Sequence, residues 1–195
     1  STSVVVTVPS GLTDGVANAV VVSNQGGTSN SNNTFTVVAA PSLTSVSPTS
    51  GIRGDSITFT GTNFTGATAV NFGSVAATSY TVDSSTQITA TVPTAAANGL
   101  QNVSVVTAGG TATLTNGFTV NKTTPSVTAT PTAAAITYGS ALSSATLGSG
   151  SATTAGTFAY ATPTAVPNAG TYSASVVFTP SNTTIYNLSL IHISE

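Results

Sequence analysis

Residues 91–120 read TVPTAAANGLQNVSVVTAGGTATLTNGFTV, and residues 7–37 read TVPSGLTDGVANAVVVSNQGGTSNSNNTFTV. Pro9 answers to Pro93, Gly15 to Gly99 and Asn18 to Asn102, a constant step of 84 positions. One insertion then resets the phase, so that Gly26 aligns with Gly109 and Phe35 with Phe118 at a step of 83. Solenoid and propeller repeats run roughly 20–50 residues, whereas this period has the size of an independently folding module. The chain therefore reads as a row of small domains.

Period-2 alternation says what those domains are made of. In SITFTGTNF, Ile57 and Phe59 alternate with Ser56, Thr58 and Thr60, the pattern of a strand with one buried face. Val70 and Phe72, Tyr80 and Val82, Ile88, Ala90 and Val92, Val103 and Val105, then Phe118 and Val120 continue it at short intervals, separated by PTSG, NG and GG turn signals. No stretch shows helical spacing. Short strands at this density, rich in β-branched residues, predict an all-β chain of two antiparallel sheets packed face to face. Asp14-Gly15 and Asn98-Gly99 hold the same place in the repeat and tolerate the positive φ of a two-residue hairpin turn, which makes the echo structural.

Composition narrows the function. Only 3% of residues are charged and the net charge is -2, with Arg53 and Lys122 the sole cations, so no nucleic acid partner is expected. Hydrophobic residues make up 39%, which argues for folding over disorder. Cysteine is absent, removing disulfides and thiolate metal sites. No apolar run reaches the roughly 20 residues that span a bilayer, so no membrane insertion is expected within these residues. The chain opens without Met, partway through a repeat, and reads as an interior piece of a longer protein.

Proline marks the module junctions, in VVAAPSLTSVSP around Pro41 and VNKTTPSVTATP around Pro125. Such short linkers predict semi-rigid coupling between neighbouring modules.

At residues 41–120 the motifs add up to a family. The Ser-Pro-x-x-Gly turn (Ser47, Pro48, Gly51), the Gly-x-Asn-Phe turn (Gly61, Asn63, Phe64), the Asn-Phe-Gly step (Asn71, Phe72, Gly73) and the closing Gly-Gly to Phe-Thr-Val run resemble one whole IPT/TIG domain, which implies an immunoglobulin-like fold. Residues 1–40 resemble the C-terminal half of a preceding copy, and 41–121 the complete domain. Residues 124–187 are similar to the MBG-type bacterial immunoglobulin-like repeats, truncated, through Tyr138-Gly139, the Gly156-to-Phe158 step, PNAGTY and FTPSNTTIYN. Tandem immunoglobulin-like sandwiches are the fold these resemblances imply. The context they imply is a large bacterial extracellular or cell-surface protein that uses such domains as stalk or adhesion modules.

The last eight residues, LSLIHISE, break the pattern. They hold the only His (His192) and the only Glu (Glu195), and their apolar phase slips between Leu190 and Ile191. Residues 188–195 also resemble the translated sequencing-adapter peptide seen at the ends of metagenomic reading frames, and are expected to be non-native.

Without that tail the chain has no His, Cys or Glu. Asp14 belongs to a turn, Asp55 precedes a strand and Asp83 lies in a loop. They form no spaced pair of the glycosidase kind and no EF-hand loop, so no catalytic, cofactor or metal residue is expected. A lysine-asparagine crosslink would need a buried lysine, and Lys122 sits in a junction. Phe59, Phe64, Phe72 and Phe118 follow core spacing, while Tyr138, Tyr160, Tyr172 and Tyr186 fit the third module's motif, and with Trp absent core packing is expected over a sugar-stacking platform. Two readings of function stand open. One is a non-catalytic stalk or adhesion segment meeting a protein or glycan at the cell surface. The other is a set of accessory, carbohydrate-binding modules of an extracellular polysaccharide-active enzyme whose catalytic domain lies elsewhere.

Overall fold

The computed structural model describes residues 17–20, 23–24, 27–28 and 33–194. The chain divides into two compact units, Ser1–Thr119 and Val120–Glu195. Among the described residues strands dominate, and the one helical piece is a 3-10 turn, Leu142–Ser144. No helix of the described residues is long and apolar enough to cross a membrane. Asp14-Gly15 and Glu195 lie outside the described residues.

In the first unit, β1 (Ala17–Val20) pairs antiparallel with β4 (Asn33–Thr36), and β2 (Ser23–Asn24) with β3 (Gly27–Thr28). The sandwich follows. β5 (Ser42–Ser47), β7 (Ser56–Thr62), β10 (Tyr80–Ser84) and β11 (Gln87–Thr91) form a four-stranded sheet in the order β10-β11-β7-β5. β6 (Ser50–Gly51), β8 (Ala69–Phe72), β9 (Val75–Ala76), β12 (Gly99–Thr107) and β13 (Gly110–Val120) form a five-stranded sheet in the order β6-β13-β12-β8-β9. Both edge strands of the four-stranded sheet are bulged, β10 between Val82 and Ser84 and β5 between Leu43 and Ser45.

Alternation places the core as the sequence predicts. Ile57, Phe59, Phe72, Ile88, Val103, Val105 and Phe118 are fully buried, while their neighbours Ser56, Thr60, Gln87 and Asn102 face water. Phe72 on β8 meets Phe59 of the opposite sheet edge to face at 5.6 Å between centroids, and Phe118 of its own sheet at 5.4 Å. Edge-to-face geometry is the arrangement favoured by the ring quadrupole.

Two of the motifs read from the sequence set the corners. The Ser-Pro-x-x-Gly turn carries the chain from the end of β5 at Ser47 into β6 at Ser50, in the other sheet. In the Gly-x-Asn-Phe turn, Asn63 adopts a left-handed φ of 58° and donates from Nδ2 to the Ala40 carbonyl at 2.9 Å, while Phe64 drops into the core. The Asn98-Gly99 expectation needs correcting in kind. Gly99 has a φ of 89°, yet the pair lies on the crossover from β11 in one sheet to β12 in the other, not in a two-residue hairpin. A dipeptide's tolerance of positive φ does not determine which strands its turn connects. Ala108-Gly109, between β12 and β13, is a two-residue link between neighbouring strands of one sheet.

In the second unit, β14 (Val127–Ala129) pairs with β15 (Ser151–Ala152), and β16 (Gly156–Tyr160), β17 (Ser173–Pro180) and β18 (Ser189–Ser194) form a three-stranded antiparallel sheet. Leu142, Ala174, Val176 and Ile193 make its buried cluster, and Phe158 packs on Phe178 at 4.8 Å. The Asn182 side chain accepts from the amides of Thr184 and Ile185 and so shapes the SNTT turn after β17.

Residues 189–194 occupy the place of a closing strand along β17, with Ser194 opposite Ser173 and Ser189 opposite Phe178. The phase slip has a visible resolution: Leu190 is 60% exposed, whereas Ile193 is 7% exposed and joins the core. Ile193→Ala should therefore cost the second unit about 2 kcal/mol, and Leu190→Ala less than about 0.5 kcal/mol, in thermal unfolding followed by circular dichroism. Equal effects would mean that β18 does not hold this register.

Candidate functional site

Each charged side chain whose contacts are described is engaged in holding backbone or a neighbouring hydroxyl. Asp55 accepts from the Ile52 amide at 2.7 Å, closing the loop that leads from β6 into β7. Gly51 is what leaves room for that carboxylate, because a Cβ there would lie 2.6 Å from Asp55 Oδ2. Arg53, in the same loop, donates from Nη2 to the Ala96 carbonyl and ties this loop to the crossover before β12. Its Nε and Nη1 are buried and meet no acceptor among the described residues, so the guanidinium is a single-point latch rather than a bidentate clamp. Asp83, on edge strand β10, accepts from Thr89 Oγ1 at 2.7 Å. Lys122 is exposed and donates to the Thr183 carbonyl at 2.6 Å, and His192 is exposed on β18.

Among the described residues, no three His, Cys, Asp or Glu side chains come together in a group that could hold a metal ion. The arrangement does not bring Asp55 and Asp83 to one place: Asp55 belongs to the loop between the sheets and Asp83 to the outer edge of the four-stranded sheet.

A concave feature lies in the second unit. A cleft of about 380 Å³ opens over the buried cluster and is lined by Ile136, Tyr138, Tyr160, Asn168, Tyr172 and Ile193, among others. Tyr138 sits on the turn closed by the Ser140 amide bonding to the Thr137 carbonyl and is 76% exposed. Tyr172, just before β17, is 38% exposed. No charged side chain lines the cleft.

This differs from the expectation that the tyrosines of this module pack as core. Tyr160 and Tyr186 are half-buried, but Tyr138 and Tyr172 stand on connecting segments and are exposed. The sequence signal was available in Tyr138-Gly139 and Gly170-Thr171-Tyr172, since glycine marks a turn more readily than a strand. Gly139 and Gly170 do adopt positive φ, 86° and 114°.

A search among curated proteins found no match. Among solved structures, the chain is similar to SGBP-B from a complex xyloglucan utilization locus in Bacteroides uniformis, at 20% identity and a TM-score of 0.39, over 88% of this chain and 48% of that one. A second, determined with a xylogluco-oligosaccharide, is 20% identical with a TM-score of 0.40, over 83% of this chain and 41% of that one. The chain thus spans less than half the length of either. Residues 41–124 match the sequence model of the IPT/TIG domain, and the two-sheet, all-β sandwich they build is the immunoglobulin-like fold of that family.

Proposed function

We propose that these residues form a non-catalytic structural segment of a secreted or cell-surface repeat protein, a stalk or spacer that presents other modules at a distance. The observation that carries this reading is the use made of the few reactive side chains. Asp55 and Arg53 secure a loop, Asp83 an edge strand, and Lys122 the turn after β17 within the second unit. The sandwich buries its own aromatic core, and the bulges at both edges of its four-stranded sheet discourage pairing with other chains, which suits a module that stands in a row of similar ones. Force-extension of single molecules held by their ends tests it. Residues 41–124 should release in one discrete step of about 25–30 nm, the contour length of an extended segment of that size. Gradual lengthening at low force, without a step, would sink the spacer reading.

A second reading, accessory carbohydrate binding beside a catalytic domain outside this chain, draws support from the exposed Tyr138 and Tyr172 around a neutral concavity. Retention of the chain on insoluble polysaccharide separates the two, since a pure spacer stays in solution.

A further inference from the structure

We infer that the cleft of the second unit binds a neutral glycan of equatorially substituted pyranose rings, one or two rings at a time, with Tyr138 and Tyr172 as its stacking surfaces. The inference rests on the second of the two readings above and gives it a location and a ligand class.

Three observations carry it. Tyr138, at 76% exposed, and Tyr172, at 38%, present ring surface to solvent at the rim of one concavity rather than at scattered positions. The lining holds no charge, so neither a phosphate nor a carboxylate ligand would find a partner there. Its polar groups are an amide on Asn168 and hydroxyls on Thr137 and the tyrosines, which both donate and accept. A ligand suited to this lining needs a flat apolar face for the rings and hydroxyls around its margin. A pyranose with equatorial hydroxyls has that form, because its C–H bonds point to the two faces. The volume of about 380 Å³ lies at the lower end of the roughly 300–1,000 Å³ of small-molecule sites, which limits the occupant to a short stretch of glycan.

The floor of the cleft is the module's own core, through Leu142, Ala174 and Ile193. That floor is buried, whereas Tyr138 on its turn and Tyr172 just before β17 are exposed above it. Tyrosine suits such a rim because it offers large contact area with few rotatable bonds.

The test is a titration of the 15N-labelled chain with cellohexaose to about 10 mM, a range that reads millimolar affinity. The amides of Tyr138, Gly139, Gly170 and Tyr172 are expected to shift and saturate. Tyr138→Ala and Tyr172→Ala should each weaken binding by roughly three- to tenfold, while Tyr138→Phe and Tyr172→Phe retain it, since phenylalanine keeps the stacking face. Both tyrosines are exposed, and an unchanged amide spectrum away from the cleft shows that each variant is folded. Shifts confined to another surface would overturn the site while leaving carbohydrate binding standing. No shift anywhere would overturn both the site and the accessory reading, and would leave the spacer reading untouched. Shifts in the cleft that grow with protein concentration without sugar would mean that a second copy fills it, and the glycan assignment falls.

Discussion

Phe72→Ala is expected to destabilise the sandwich by about 4 kcal/mol, within the range for emptying a fully buried aromatic position. The ring is 0% exposed and stands between Phe59 of the opposite sheet and Phe118 of its own, so truncation removes both edge-to-face contacts at once. It also leaves a void at the place where the sheets are held together. Backbone strands on either side are fixed by their ladders, β8 to β12 and β7 to β11, which limits collapse into the space. Against a typical domain stability of roughly 5–15 kcal/mol the loss is a large fraction, and urea unfolding should show the midpoint fall with little change in slope. Phe72→Leu, which keeps most of the volume, should cost less than half as much. A Phe72→Ala loss under about 1 kcal/mol would contradict the packing described for this ring.

Gly61→Ala should cost about 3 kcal/mol or more, although it adds a single methyl group. Gly61 pairs with Leu43 across β7 and β5, and a Cβ there would lie 1.9 Å from the Ser42 carbonyl oxygen and 2.5 Å from Phe64 Cζ. The first obstacle is backbone, so relief requires β5 to move away from β7. The second is a ring fully buried in the core, with little room to retreat. Amide exchange should accelerate along Ser42–Ser47 before any other strand of this sheet. The neighbouring Thr62→Ala, on an exposed side chain, should stay within about 0.5 kcal/mol. If the two variants unfold alike, the close approach of β5 at Gly61 is not what demands glycine.

The sequence made the sandwich legible because the buried face follows the simplest rule available to a strand. Ile57 and Phe59, Val70 and Phe72, Val103 and Val105 alternate with polar partners, and each pair is buried. Turn connectivity was not legible in the same way. Asn98-Gly99 advertises positive φ, but whether the next strand returns along the same sheet or crosses to the other depends on pairing partners far away in the chain. The latch of Arg53 on Ala96 spans 43 positions and leaves no local trace. The tyrosine rim was half legible: motif positions identified the residues, while their exposure follows from turns at Gly139 and Gly170 that keep them off the sheet faces. At the tail, the slip between Leu190 and Ile191 read as a fault in a strand. In the structure β18 turns Leu190 outward and keeps Ile193 inward, so the irregularity costs an exposed leucine rather than the pairing.

The bulges at both edges of the four-stranded sheet bear on the solutions in which such a protein can work. One common device against edge-to-edge association is lysine or other charge on the edge strand, and that protection fades as salt screens it within a Debye length of about 8–10 Å. With only 3% of its residues charged, this chain has almost none of that protection to lose. The edges of its four-stranded sheet are set apart by shape, through the kinks at Val82–Ser84 and Leu43–Ser45, and shape is not screened. Brine and fresh water should present this sandwich with nearly the same risk of association.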